Sequence, residues 1–104
     1  MRERRSTRVS PRTAVTAAIE EVDHALAFGV VTNISEGGAC ICTDGIFPVG
    51  DSLLVQLSFR GEPQPVPVEG CVVWCGCEGD RSYRYGVQFL QPAGSRLKRL
   101  IRDC

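Results

Sequence analysis

Lysine is nearly missing from this chain: of its 12 basic residues, Lys98 is the only lysine and the others are arginines. Histidine is limited to His24, beside Asp23 in a polar stretch where an imidazole is ordinarily solvated. No Ser-His-Asp set can be assembled around it from spacing. The carboxylates likewise form no pair distinguishable from surface charge, so catalysis has no support in the sequence. No apolar run approaches the ~20 residues that a membrane-spanning helix needs. The N-terminus is charged and lacks the apolar stretch of a secretory signal. Both absences lead to the expectation of a cytoplasmic protein without membrane insertion. Neither G-x-G-x-x-G nor a P-loop occurs, and strands do not alternate with helices, which excludes the common α/β nucleotide-binding architectures. Internal repeats and low-complexity segments are absent as well.

What is present fits one small globular domain. The chain has 104 residues, 43% of them hydrophobic, enough for one core. Net charge is zero but unevenly spread. Arg2, Arg4, Arg5, Arg8 and Arg12 face only Glu3 near the start, while Arg96, Lys98, Arg99 and Arg102 crowd the end. The acids lie mostly between, including Glu20, Glu21 and Asp23. Arginine presents five donors in a planar fork and stacks on flat rings, which suits planar or anionic ligands. Codon usage rich in G and C would produce the same bias.

The six cysteines are Cys40, Cys42, Cys71, Cys75, Cys77 and Cys104. Structural disulfides are not expected without a secretory signal. Cys40/Cys42 and Cys75/Cys77 are each separated by one residue in strand-like runs, where alternate residues share a face. They read as small side chains on a sheet, with no bound metal or other cofactor expected. Cys71 and Cys75 do keep a C-x3-C ligand spacing.

Thr13 to Glu21 alternates Val15, Ala17 and Ile19 with other residues, a modest strand, before a turn at Glu21 to Asp23. Ala27 to Thr32 is a second apolar run, NISEGG a tight turn, and Ala39 to Thr43 a third strand. Leu53, Val55, Leu57 and Phe59 share one parity in the clearest half-buried strand. Val66, Val68, Val72 and Trp74 are expected on one face of a fifth strand, with a bend or bulge at Gly70. Tyr83, Tyr85, Val87 and Phe89 line a sixth. Leu97, Leu100 and Ile101 then recur at helical spacing, with Ser95 as the expected N-cap. Six short strands with regular turn signals indicate a small antiparallel barrel or sandwich. A helix this short must dock, most simply over an open end of the sheet.

Two motifs remain. RRSTR places Arg4 and Arg8 four apart with Arg5 between, in an arm ahead of the first strand. A guanidinium grips two phosphate oxygens or the O6/N7 edge of guanine, yet a solvated basic tail explains the same residues. NISEGG carries Asn33, Ser35 and Gly38 as N-x-S-x-x-G. These residues make a turn with Gly37 and Gly38 free to take positive φ, or offer short polar groups to a base edge or phosphate.

In order and spacing the two motifs resemble those of the PilZ domain family, the bacterial receptor modules for cyclic di-GMP. The stretches TNISEGGACI, VGDSLLVQL, GCVVW and YRYGVQFL look like successive PilZ strands, so the resemblance covers essentially the whole chain. It implies a mainly all-β fold: a six-stranded antiparallel barrel over residues 13–91, a ligand-binding arm at 1–12 and a C-terminal α-helix at 92–104. It implies a non-enzymatic, stand-alone receptor in which Arg4 and Arg8, helped by Arg5, grip cyclic di-GMP. Asn33 and Ser35 would contact a guanine, and Gly38 would give clearance. Many members carry aspartate where this chain has Asn33. The arm is expected to change conformation on binding and to signal to a downstream protein partner, with no DNA or RNA bound. The rivals are a PilZ-like interaction module that binds no nucleotide, and nonspecific nucleic-acid binding through the basic ends.

Overall fold

The computed structural model describes residues 14–21 and 26–104. Arg4, Arg5 and Arg8, the expected arm and most of the expected turn after Glu21 lie outside the described residues. The elements are β1 (Val15–Glu20), β2 (Leu26–Ser35), β3 (Gly38–Thr43), β4 (Ser52–Phe59), β5 (Val66–Gly79), β6 (Ser82–Phe89) and α1 (Ser95–Asp103).

Period-two alternation sets the sheet. In β4, Leu53, Val55, Leu57 and Phe59 are buried, while Ser52, Leu54 and Ser58 face solvent. Val15, Ala17 and Ile19 of β1, and Tyr85, Val87 and Phe89 of β6, follow the same rule. All pairs are antiparallel, in the order β1-β2-β3-β6-β5-β4, and β4 pairs back to β1 from Val15↔Phe59 to Glu20↔Leu54. That last ladder closes a barrel, the choice that local patterns left open.

One rim gathers the features that matter here. β1 begins at Val15, β2 ends at Ser35, β3 begins at Gly38, β4 ends at Phe59, β5 begins at Val66 and β6 ends at Phe89. α1 sits at this rim: Leu97, Leu100 and Ile101 join the barrel core, as their spacing predicts. Arg96 fastens it, its guanidinium donating to the carbonyls of Gln64 and Pro65 and to the Glu62 carboxylate at 3.2 Å. The expected cap is corrected: Gly94 is the N-cap, no side chain caps the helix, and Ser95 is its first residue.

The opposite end is tied by Tyr85. Its hydroxyl donates to the Gly45 carbonyl at 2.8 Å and accepts from the Phe47 amide at 3.1 Å, and the Phe47 ring meets it edge-on at 5.4 Å. Burial, opposed by the bond from Phe47, pushes the Tyr85 phenol above its usual value of 10.0.

Candidate ligand-binding site

Asn33 would point inward if β2 alternated without interruption, because it shares parity with the buried Val31. It does not, because β2 bulges. Val31 pairs with Ile41 and Asn33 with Cys40, so Thr32 is the extra residue, its hydroxyl donating to the Cys40 carbonyl at 3.3 Å. Val31 and Ile34 both face the core as a result, and Asn33 turns to the outer wall, half-buried.

A second bulge does the same in β5. Val72 pairs with Val87 and Trp74 with Gly86, with Val73 as the extra residue. The expectation that Trp74 shares the inward face of Val72 is therefore corrected: Val72 is 1% exposed and Trp74 is 41% exposed. The bulge falls at Val73, not Gly70. Gly70 is glycine because a Cβ there would collide with the Val87 side chain. The Trp74 indole lies across Gly86, where any Cβ would strike the ring.

The pairings Asn33↔Cys40, Cys40↔Gly86 and Gly86↔Trp74 place the amide and the indole in one cross-strand row. The row spans three strand spacings, about 14 Å. On the same outward face, the next row toward the far end is Val30, Cys42, Arg84 and Gly76, and the next toward the rim is Ser35, Gly38, Gln88 and Cys71. The outer wall thus offers a polar amide, an aromatic face and the Arg84 guanidinium, which pairs with Glu78 at 3.3 Å. Burial pushes the Cys42 thiol up, Cys40 and Glu78 add to this, and Arg84 opposes it.

Asn33, Ser35 and Gly38 do come together at the rim, but NISEGG is not all turn. Asn33 to Ser35 belongs to β2, Gly38 opens β3, and Glu36 and Gly37 make the turn. Among the glycines, positive φ occurs at Gly50, Gly61 and Gly79; Gly37 and Gly38 are not among them. Ser35 is 3% exposed, and its hydroxyl accepts from the Gly37 amide at 3.3 Å and donates to the Gly38 carbonyl at 3.4 Å. Gly38 packs under β6, where a Cβ would collide with the Val87 carbonyl oxygen. Its glycine is required by the barrel, whatever else the position does.

Sequence reasoning missed Trp74 as a candidate for the outer wall, because strand parity hides a residue that a bulge has turned over. The closeness of Gly86 to the indole becomes legible only with the register. On the rim, a groove of about 230 Å³ runs between the start of β5 and α1, lined by Val66, Phe89 and Leu97. Among the described residues no three His, Cys, Asp or Glu side chains are grouped to hold a metal ion, and no helix is long and apolar enough to cross a membrane.

A closed six-stranded antiparallel barrel with a helix on one rim and N-x-S-x-x-G at the β2–β3 corner is a small β-barrel domain, not an α/β nucleotide-binding fold. Residues 2–104 match the PilZ domain family, and the chain belongs to it. No curated protein matches the sequence. Among solved structures, the Bacillus subtilis inhibitor of motility MotI/DgrA superposes with a TM-score of 0.74 at 18% identity, over 100% of this chain and 50% of that one. The PilZ domain of Escherichia coli YcgR, solved with c-di-GMP, gives 0.72 at 15% identity, over 97% of this chain and 87% of that one. The K. pneumonia MrkH–c-di-GMP complex gives 0.71 at 15%, over 99% of this chain and 51% of that one. The chain therefore spans half the length of the motility inhibitor and about half that of MrkH. At these identities the likeness is one of fold.

Proposed function

We propose that this chain is a cyclic di-GMP receptor, with the ligand on the outer wall at the rim and no catalysis of its own. One observation carries the reading: two separate bulges, at Thr32 and Val73, turn Asn33 and Trp74 onto the same cross-strand row. Bulges re-aim side chains at the cost of local pairing and are concentrated beside functional sites. An amide that pairs with a base edge and an indole that stacks on a base are what a guanine nucleotide requires.

Arg4 and Arg8 of the arm at residues 1–12, with Arg5 beside them, close on the ligand from the rim and hold its phosphates and a guanine edge. The register of the barrel supports this reading. β1 starts at Val15, its first pair with β2 is Thr16↔Val30, and β2 runs on past Val30 to Ser35. Asn33 reads a guanine edge, while Ser35 and Gly38 hold the corner in shape. The arm changes conformation on binding, and the altered rim signals to a downstream protein in the cytoplasm.

Calorimetric titration with cyclic di-GMP, with GTP alongside, tests the reading on the wild type and an Arg4→Ala, Arg8→Ala double variant. Saturable binding of cyclic di-GMP alone, lost in the double variant, is expected. A flat titration from folded protein refutes it and favours the second reading, a PilZ-like interaction module. That reading draws on Leu26, Phe28 and Val30, 60%, 68% and 51% exposed in a stripe along β2.

A further inference from the structure

Cys75-Gly76-Cys77 lies near the far end of β5, away from the rim. The pairs of β5 with β4 run from Leu57↔Val66 to Ser52↔Cys71, while those with β6 continue to Gly79↔Ser82. Beyond Val72, then, β5 is held by ladder pairs on one side alone. Both cysteines are exposed free thiols on one face of the strand, paired across to Tyr85 and Tyr83.

Two residues of extended strand span about 6.4–6.8 Å, the far edge of the roughly 4.4–6.8 Å between Cα atoms that a disulfide bridges. A small contraction of the strand therefore brings the sulfurs to bonding distance. Three features permit it. Gly76 has no side chain to resist the bend, and the nearest atom to a Cβ there would be Trp74 Cζ3 at 4.0 Å. The ladder already slips between Cys77 and Gly79, so the hairpin end absorbs a change of length. The unpaired edge has no hydrogen bonds to β4 to break.

The same chain supplies an internal contrast. Cys40 and Cys42 have the same spacing in β3, but β3 is paired to β2 and β6 on both sides. The residue between them is Ile41, 1% exposed in the core, and Cys40 itself is 3% exposed. That strand cannot shorten without tearing two ladders.

We propose that Cys75 and Cys77 form a reversible disulfide, making the overhang of β5 a site of oxidation by low-molecular-weight disulfides of the glutathione type. One thiolate attacks a sulfur of oxidised glutathione and releases one reduced glutathione. The second thiol, losing its proton, attacks the resulting mixed disulfide and releases another. The protein loses two hydrogens and the oxidant is reduced to two thiols, so the exchange balances and runs backward in reduced glutathione. Trp74, the chain's only tryptophan, adjoins Cys75 and reports the contraction. Nucleotide binding plays no part in the exchange.

The test equilibrates the full chain in buffers of varied reduced-to-oxidised glutathione ratio, quenches with acid, and alkylates free thiols after denaturation. Peptide mass spectrometry then maps each cysteine, and Trp74 fluorescence is read on the same samples. Cys75 and Cys77 are expected to lose alkylation together, in one peptide lighter by two hydrogens, while Cys40 and Cys42 stay alkylated and Trp74 emission changes in step. Cys77→Ser, repeated as Cys77→Ala, is expected to abolish both the lighter peptide and the emission change. Independent alkylation of the two thiols across the range, separate glutathione adducts on each, or links to a second molecule would overturn the proposal.

Discussion

Replacing Gly38 by alanine separates two explanations of the glycine that ends N-x-S-x-x-G. If the position serves the ligand, the added methyl blocks approach from outside and the fold is untouched. The packing argues otherwise, because the Cβ would strike the carbonyl oxygen of Val87, with the Gln88 Cα at 3.4 Å. Both neighbours are backbone atoms of β6, which is laddered to β3 and β5 and cannot step aside cheaply. Forcing a methyl into a well-packed contact costs about 1–3 kcal/mol. For a domain of this size each kcal/mol lowers the melting temperature by about 4–8 °C. Gly38→Ala should therefore melt about 4–24 °C below wild type by circular dichroism, with a lower urea midpoint and unchanged slope. A variant with wild-type midpoints that fails to bind cyclic di-GMP would refute the packing argument and return Gly38 to the ligand.

Tyr85→Phe removes the hydroxyl that donates to Gly45 and leaves the Phe47 amide without its acceptor, a loss of about 1–3 kcal/mol measurable by urea unfolding. Because burial raises the Tyr85 pKa above 10.0, the fold favours the neutral phenol. Its contribution is whole below pH 10 and is lost as pH rises through the raised value, so wild-type stability should fall there more steeply than that of Tyr85→Phe. Trp74→Ala, checked for folding first, should weaken cyclic di-GMP binding by about 1–3 kcal/mol, a factor of about 5–150 in the calorimetric Kd. Trp74→Phe should recover much of that loss, and equal Kd values for all three proteins would remove the indole from the site.

β4 could be read from the sequence because its half-buried alternation is unbroken from Leu53 to Phe59, and α1 because Leu97, Leu100 and Ile101 fix its inner stripe. The barrel needed more, since the ladder between β1 and β4 joins residues far apart in the chain and leaves no mark on either strand alone. At the site, Asn33 and Ser35 could be found by motif, but their setting could not. Turn-forming residues lie inside β2 because the bulge at Thr32 satisfies core and wall together. Trp74 was misplaced for the same physical reason: a bulge inverts parity without changing composition. The cap at Gly94 escaped because no side chain caps this helix: Gly94 takes the extended N-cap backbone, with φ −73° and ψ 171°, and Ser95 falls inside the first turn.

The barrel has a front and a back. β1 starts and α1 sits at the rim that bears Ser35 and Gly38, while the β5–β6 hairpin turns at the exposed Asp80 and Arg81 on the other end. Arg81 already holds a left-handed φ of 60°, a backbone state that glycine or asparagine takes more readily. A reporter domain spliced between Asp80 and Arg81 would hang behind the barrel and leave the rim open. One attached beyond Cys104 would stand beside it. For building a sensor or tethering the protein to a surface, the hairpin is the handle.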